Sequence, residues 1–110
     1  MPETAHVQVS TTTDSSDAAA ALADSAVRAR MAACGQVDGP ISSVYWWDGK
    51  VEREQEWLVL FKTTAEHGPA LVEHIRANHT YDVPEVIVTP IIGGNPAYLA
   101  WVTDQTALHD

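Results

Sequence analysis

The 110-residue sequence contains one cysteine, Cys34, and no apolar run close to the roughly 20 residues of a membrane-spanning helix. A single cysteine excludes an intrachain disulfide. The lack of disulfides is typical of proteins in a reducing compartment. Residues 1–10 lack the basic stretch and the apolar stretch that together mark a secretory signal. We therefore expect a cytoplasmic protein with no membrane partner.

Basic residues are also scarce, since 6 lysines and arginines stand against 15 acidic residues and give a formal net charge of −9. This balance argues against nucleic acids and anionic membranes as partners, because both require a positive protein surface. A negative field concentrates cations near a protein, although solubility alone also accounts for such a charge. The 45% hydrophobic composition and the length predict one globular domain over residues 1–110, with its elements between about residue 5 and about residue 106.

The first third of the sequence predicts a short strand followed by a long helix. Residues 7–13 are β-prone, and Asp14 is a favourable N-cap for an alanine-rich helix over residues 15–34. Gly35 predicts the end of this helix, directly after Cys34. Small and apolar side chains form one stripe along it at three- and four-residue spacing: Ala19, Leu22, Ala26, Ala29 and Ala33.

A β-hairpin is predicted around residues 44–52, VYWWDGKVE. Asp48 and Gly49 suit a type I′ turn, because both central positions of that turn need positive φ. We expect the arms of the hairpin over residues 37–47 and 50–63.

The neighbouring tryptophans of this hairpin point to opposite faces, because successive side chains of a strand alternate. A two-residue turn pairs Trp47 with Lys50 and Trp46 with Val51. An arm of about ten residues is about 33 Å long, whereas a domain of this size has a radius of gyration of about 13 Å. The tip therefore either projects beyond the domain or curls back over it, and we predict that a second chain covers at least one of the two tryptophans.

The spacing of Thr63 and Glu66 matches a capping box and predicts the start of a second helix, which ends near Asn78. Gly68 and Pro69 leave the exact first residue of this helix open, because proline is favourable only in a first turn. Residues 85–92 predict a strand, in which Pro90 indicates an edge position or a bulge.

Asn95 and Pro96 predict the start of a last short helix, as N-cap and first helical residue. The order β-α-β-β-α-β with a terminal helix predicts a ferredoxin-like α+β sandwich, with both main helices on one face of an antiparallel sheet. The other face of the sheet then needs a separate cover.

Five short segments follow one another along the chain: MAAC at residues 31–34, Tyr-x-Trp-x-Gly-Lys at 45–50, FKTT at 61–64, NHTYDVPEV at 78–86 and PAYLAW at 96–101. In this order they resemble the CutA family of divalent-cation tolerance proteins, over about residues 5–106. The sequence departs from the family's pattern at Trp46, Thr80 and Asp82. Of the two neighbouring tryptophans, Trp47 is the one that matches the family's hairpin tryptophan.

The resemblance implies a homotrimer of ferredoxin-like protomers, similar in plan to the PII signalling proteins. The family's long hairpins extend sheets across subunit boundaries, which implies Trp47 and Tyr45 in the trimer interface. It also implies a role in tolerance to copper and other divalent metals. No nucleophile elbow, phosphate-binding glycine loop or nucleotide fingerprint occurs, so we expect no enzymatic activity.

Metal binding is one hypothesis for the chemistry, with Cys34, His79 and Glu85 as candidate ligands and Asp82 as an additional one. Thiolate and imidazole suit copper or zinc, whereas carboxylates suit harder ions. The sequence contains no CxxC, HxxxH or HExxH spacing. Cys34 is also explained as a small buried side chain at a helix end, and His79 as a histidine that bonds the carbonyl groups at a helix end.

A ligand cleft is a second hypothesis. His79, Tyr81 and Glu85 are candidates for a polar pocket, to which Lys62 adds a positive charge and Tyr98 and Trp101 an aromatic wall. The family resemblance implies that these motifs lie near a cleft between subunits. Tyr81 and Glu85 are also explained as residues that bond backbone groups there.

Two functions follow from these observations. One is a trimer that binds divalent copper or a similar ion and contributes to metal tolerance. The other is a signalling or scaffold trimer that acts on an unknown protein partner, with metal binding incidental.

Overall fold

The computed structural model describes residues 5–107. Its elements in chain order are β1 (His6–Thr13), α1 (Ser16–Arg28), β2 (Cys34–Trp47), β3 (Lys50–Thr64), α2 (Gly68–Ala77), β4 (Val86–Ile91) and α3 (Pro96–Thr106). Within the described residues, the strands form one antiparallel sheet in the order β2-β3-β1-β4. This is the ferredoxin-like arrangement with an added C-terminal helix, and the predicted fold class is confirmed.

The hydrophobic core lies between one face of the sheet and the pair α1 and α2. Val9 and Phe61 lie opposite each other in the register of β1 and β3, and both are fully buried. The stripe of α1 contributes small side chains, which allow the helix to approach the sheet closely. The core residues are Val7, Val9, Ala19, Leu22, Ala23, Ala26, Ala32, Val59, Phe61, Leu71 and Ile75.

The start of α1 differs by one residue from the prediction, because Ser15 rather than Asp14 is the N-cap. The backbone of Ser15 is extended, and its hydroxyl oxygen accepts a hydrogen bond from the Ala18 amide at 3.0 Å. This bond satisfies an amide that has no partner inside the helix.

The predicted end of α1 at Gly35 was wrong, since the helix ends at Arg28. Arg30 has a φ of 62° and turns the chain out of the helix. The Ala33 amide then donates a hydrogen bond to the Lys62 carbonyl at 2.9 Å, and Cys34 is the first residue of β2. Pairing with β3 therefore outweighs the helix propensity of the alanines, and Cys34 belongs to the sheet rather than to a helix end.

The hairpin is confirmed. Asp48 and Gly49 have φ values of 51° and 75°, as a type I′ turn requires. Trp47 lies opposite Lys50, and Trp46 lies opposite Val51.

A bulge divides β2, because its register with β3 shifts between Asp38 and Ile41. Gly39 occupies this bulge, and a Cβ atom there would lie 2.5 Å from Cδ1 of Trp57, so no larger residue fits without a shift. Before the bulge Cys34 faces away from the core with Lys62. Beyond the bulge, the odd-numbered residues of β2 face away from the core instead of the even-numbered ones. The bulge thus exchanges the two faces of β2 in the outer half of the hairpin.

The predicted capping box at α2 was wrong. The helix begins at Gly68 after His67, whose side chain makes no capping bond, and Pro69 lies in the first turn. Proline is tolerated only there, which places the start of the helix after residue 66. The Thr64 hydroxyl instead contacts Nδ1 of His67 at 2.7 Å. The helix ends with Asn78 as its C-cap, as predicted.

The last two elements follow the prediction closely. β4 is an edge strand, which explains how Pro90 is tolerated in it. The side chain of Asn95 caps α3 through a 3.1 Å bond from the Ala97 amide. This helix packs on the face opposite α1 and α2, where Val102 is fully buried, and it covers one end of that face.

Candidate functional site

A groove of about 710 Å³ lies between the outer half of the hairpin and the connection from α2 to β4. Every charged side chain that lines it is acidic. We call it the acidic groove, and its lining residues are Thr12, Ser43, Val44, Tyr45, Trp47, Glu52, Glu54, Glu56, Tyr81, Asp82, Val83 and Glu85.

Strand alternation explains the composition of the groove. Glu52, Glu54 and Glu56 are two residues apart on β3 and therefore share one face. Tyr45 and Trp47 share the same face of β2, since Tyr45 lies directly opposite Glu52 in the register. One face of the outer hairpin thus combines carboxylates with aromatic rings.

The opposite face of the hairpin carries Trp46, which is 74% exposed, together with Val51, its partner in the register. Trp47 is 58% exposed in the single chain. The described residues of the chain thus leave both tryptophans largely uncovered, which agrees with the expectation that another chain covers at least one of them.

Glu56 is the buried carboxylate of the groove, with 8% of its surface exposed. The Tyr81 hydroxyl donates a hydrogen bond to its Oε2 at 2.9 Å. Burial and this bond to a carboxylate hold the pKa of Tyr81 above its usual range. Within the described part of the chain, no basic side chain forms an ion pair with Glu56.

His79 anchors the same connection through both ring nitrogens. Its Nε2 lies 2.8 Å from the Thr12 carbonyl, and its Nδ1 lies 3.0 Å from the Tyr81 amide. A carbonyl only accepts and an amide only donates, so the ring is the neutral tautomer with the proton on Nε2. Neither nitrogen has a free lone pair for a metal ion. The ring also packs against that of Tyr81, with centroids 4.8 Å apart.

Cys34, Lys62, Tyr98 and Trp101 form a second group at the other end of the sheet. The Tyr98 hydroxyl lies 3.6 Å from Sγ of Cys34, and the rings of Tyr98 and Trp101 are 5.5 Å apart. The contact with Cys34, followed by burial, raises the pKa of Tyr98 to about 12. Lys62 lies opposite Cys34 in the register, and its ammonium group contacts the side-chain oxygen of Gln36.

The structure does not bring the predicted metal ligands together. Cys34 lies in the sheet row of Lys62 and Gln8, whereas His79 contacts Thr12, four residues further along β1 and so about 13 Å away. Among residues 5–107, no three side chains of histidine, cysteine, aspartate or glutamate are close enough to hold a metal ion together. Glu85, the remaining candidate, lines the acidic groove with Asp82.

The predicted ligand cleft is likewise divided within one chain. Tyr81 lines the acidic groove, while Lys62, Tyr98 and Trp101 lie at the other end of the sheet.

Sequence reasoning missed Glu52, Glu54 and Glu56 as groove residues. Their two-residue spacing was the available signal, because it puts three carboxylates on one face of a strand.

None of the helices within residues 5–107 is both long and apolar enough to span a membrane.

Comparison with known proteins links the chain to one family. The family model described as CutA1 divalent ion tolerance protein matches residues 7–105. The chain is 45% identical to the chloroplastic protein CutA 1 of Oryza sativa over 100 residues, which cover 91% of this chain and 56% of that protein. It is 40% identical to the divalent-cation tolerance protein CutA of Thermus thermophilus over 95 residues, 86% of this chain and 92% of that protein. The chain thus spans only about half the length of the plant relatives, the Arabidopsis thaliana protein included.

Solved structures give the same result. The crystal structure of CutA1 from Oryza sativa has a TM-score of 0.91 at 43% identity, covering 94% of this chain and 95% of that one. The Thermus thermophilus protein has a TM-score of 0.89 at 38% identity, covering 93% of this chain and 99% of that one. Sequence and fold agree over nearly the whole chain, and the protein belongs to the CutA1 divalent ion tolerance protein family.

Proposed function

We propose that the protein is a trimeric divalent-cation tolerance protein that binds Cu²⁺ or a similar ion through carboxylates of the acidic groove. The observation that supports it is the composition of the groove, which contains five carboxylates and no basic side chain among its lining residues. A cleft of one charge sign raises the local concentration of counter-ions. Carboxylates suit harder ions best, yet for a given set of ligands Cu²⁺ binds more tightly than the other divalent first-row metals.

Within the groove, Glu85 is the proposed metal ligand, with Asp82, three residues earlier, as a second one. His79 is engaged at both nitrogens and holds the connection that carries these residues. Cys34 belongs to the second group of side chains, at the other end of the sheet, where it contacts Tyr98. We therefore propose a site of one or two carboxylates per ion, completed by water, with correspondingly modest affinity.

The trimer is part of the proposal. The hairpin tip exposes four large hydrophobic residues that no described part of the chain covers: Val44, Trp46, Trp47 and Val51. Exposed apolar patches of this kind are typical of protein–protein contacts. We place Trp47 and Tyr45 in the contact between subunits, and we propose the cytoplasm as the location.

The metal site can be tested by titrating Cu²⁺ into the protein against a competing chelator. We expect Glu85→Gln and Asp82→Asn each to weaken binding by about tenfold, which corresponds to about 1.4 kcal/mol. Binding should also fall on acidification, because ligands must be deprotonated to bind a metal.

Two variants serve as controls for this titration. Glu66→Gln removes the same charge from an exposed residue outside the groove, and Cys34→Ala removes the thiol at the other end of the sheet. Both should bind copper as the wild type does. If Glu66→Gln weakened binding as much as Glu85→Gln, copper would respond only to the overall negative charge, and the proposed site would be wrong.

A signalling or scaffold trimer is the second candidate function. It is favoured by the Trp46 face of the hairpin, which points away from the acidic groove and stays available if Trp47 lies between subunits. A partner captured by the wild type and lost with Trp46→Ala would support this function, provided that the variant remains trimeric.

A further inference from the structure

Glu56 is a buried carboxylate that has no counter-charge among residues 5–107. It is 8% exposed, it lines the acidic groove, and its hydrogen-bond donor is the neutral hydroxyl of Tyr81. Two further carboxylates, Glu52 and Glu54, stand on the same face of β3. Burying a charge without an opposite charge is costly, so this arrangement indicates a cation that comes from outside the described chain.

The basic side chains of the same chain cannot supply it. On the helices, Arg28 is paired with Asp24 and Arg76 with Glu73. Arg30 donates to Gln105. These three therefore already have partners at other places in the fold.

The remaining basic residues lie on β3 itself. Lys50 and Lys62 are each six residues from Glu56 along the strand, about 20 Å away. Arg53 alternates to the other face of the hairpin, opposite Val44 in the register. None of them can reach the buried carboxylate in its own chain.

We infer that Lys62 of a second copy of this chain enters the acidic groove and neutralises Glu56 and its neighbour Glu54, so that Asp82 and Glu85 remain for the metal ion of the proposed function. This inference rests on the self-association in the proposed function and names the contact that forms it. Lys62 is suited to the role because its present partner, Gln36, is neutral. Tyr98 and Trp101, 41% and 40% exposed beside it, provide aromatic surface to pack on Tyr45 and Trp47 of the groove.

The proposed contact joins two different surfaces, one at each end of the sheet. Such head-to-tail contacts repeat from copy to copy and close into a ring when the rotation permits, as in a trimer. The charge of the groove thus explains why the second copy presents its Lys62 end rather than another acidic surface. It also brings the two halves of the predicted ligand cleft together, one from each copy.

A charge swap tests the contact. Lys62→Glu and Glu54→Lys are prepared singly and together, and the association constant is measured by sedimentation velocity over a micromolar concentration series. Glu54 is chosen because it is exposed in the single chain and its replacement spares the buried bond of Tyr81 to Glu56. We expect each single variant to weaken association by at least about tenfold, and the double variant to restore most of the loss.

Two further variants keep the test interpretable. Lys62→Gln removes the charge without reversing it and should weaken association less than Lys62→Glu. Arg28→Glu makes the same charge reversal on the exposed side of α1 and should leave association unchanged, apart from the local loss of the pair with Asp24. Circular dichroism confirms that each variant is folded before its association is compared.

The outcomes separate this inference from the proposed function. A wild type that associates while Lys62→Glu associates equally well overturns the Lys62 contact and leaves the trimer intact. Failure of the double variant to recover also overturns it, and points to another cationic occupant of the groove. A wild type that stays monomeric at every concentration overturns the proposed trimer itself.

Discussion

The phenol of Tyr81 donates a hydrogen bond to the carboxylate of Glu56 across 2.9 Å, and this bond ties the connection between α2 and β4 to the hairpin. Hydrogen bonds to charged groups contribute about 1.5–3 kcal/mol to stability. We therefore expect Tyr81→Phe to lower the free energy of unfolding by about that amount, because Glu56 stays buried without its donor. Denaturant titration measures the change.

Tyr98→Phe is the matched control for this substitution. Its hydroxyl contacts the weaker acceptor Sγ of Cys34 at 3.6 Å, and the residue is 41% exposed. We expect a loss below about 0.5 kcal/mol, as for a surface substitution. Equal losses from the two variants would contradict a special role for the bond between Tyr81 and Glu56.

Tyr98 also predicts how stability depends on alkaline pH. Its pKa is about 12 in the folded chain against a usual value of about 10. Between these values the folded state holds a proton that the unfolded state has lost, so unfolding releases a proton and is favoured by rising pH. The effect of Tyr98 on the free energy of unfolding is therefore constant below about pH 10, and it lowers this free energy progressively from there to about pH 12. Denaturant midpoints across this range should fall more steeply for the wild type than for Tyr98→Phe. If the midpoints of the wild type and of Tyr98→Phe fell equally steeply with pH, the raised pKa of Tyr98 would be contradicted.

Much of the hairpin was predictable, because its register depends on local chemistry. Asp48 and Gly49 determine the turn type, and a two-residue turn leaves only one pairing for Trp47 and Lys50. The bulge at Gly39 was not predictable in the same way, since the close approach of Trp57 is visible only when both strands are assembled.

The end of α1 shows where local reasoning fails. The alanines up to Ala33 favour a helix, yet the Ala33 amide bonds to Lys62, 29 residues away in sequence. The wrong helix end placed Cys34 at the end of a helix, whereas the structure has it in the sheet. Whether Cys34 meets His79 depends on how far the row of Cys34 lies from that of Thr12, which His79 contacts, and sequence spacing carries no information about this distance.

The groove was only half predictable. Strand alternation places Glu52, Glu54 and Glu56 on one face once the strand is assigned. Glu56 accepts its hydrogen bond from Tyr81, which reaches it from a connection 25 residues further along the chain. Long-range contacts of this kind have no signature in a single sequence.

Thr11 and Thr63 provide a paired test of buried hydroxyl groups. Both are fully buried, but the hydroxyl of Thr11 has no hydrogen-bond partner in the described part of the chain, whereas that of Thr63 donates to the Met31 carbonyl at 2.7 Å. We expect Thr11→Val to raise the free energy of unfolding by about 1 kcal/mol and Thr63→Val to lower it by about 1–3 kcal/mol. Thermal and denaturant unfolding of the two variants checks the prediction. Destabilisation by both would indicate that Thr11 has an undetected partner such as a buried water.

The last prediction concerns the tip of the hairpin. Trp47 is 58% exposed and faces the acidic groove, whereas Trp46 is 74% exposed on the other face. Covering the exposed part of Trp47 removes roughly 100 Å² from water, or about 2–3 kcal/mol per subunit before ordering costs.

A ring of three subunits gains this free energy three times, which links folding to assembly and makes the melting temperature dependent on concentration. We therefore expect Trp47→Ala to yield monomers at micromolar concentration or to melt at a lower temperature that rises with concentration. Trp46→Ala serves as the control of equal size and should remain assembled. Sedimentation and thermal melts at several concentrations distinguish the two. A Trp47→Ala protein with unchanged association and unchanged melting temperature would show that the subunits meet elsewhere.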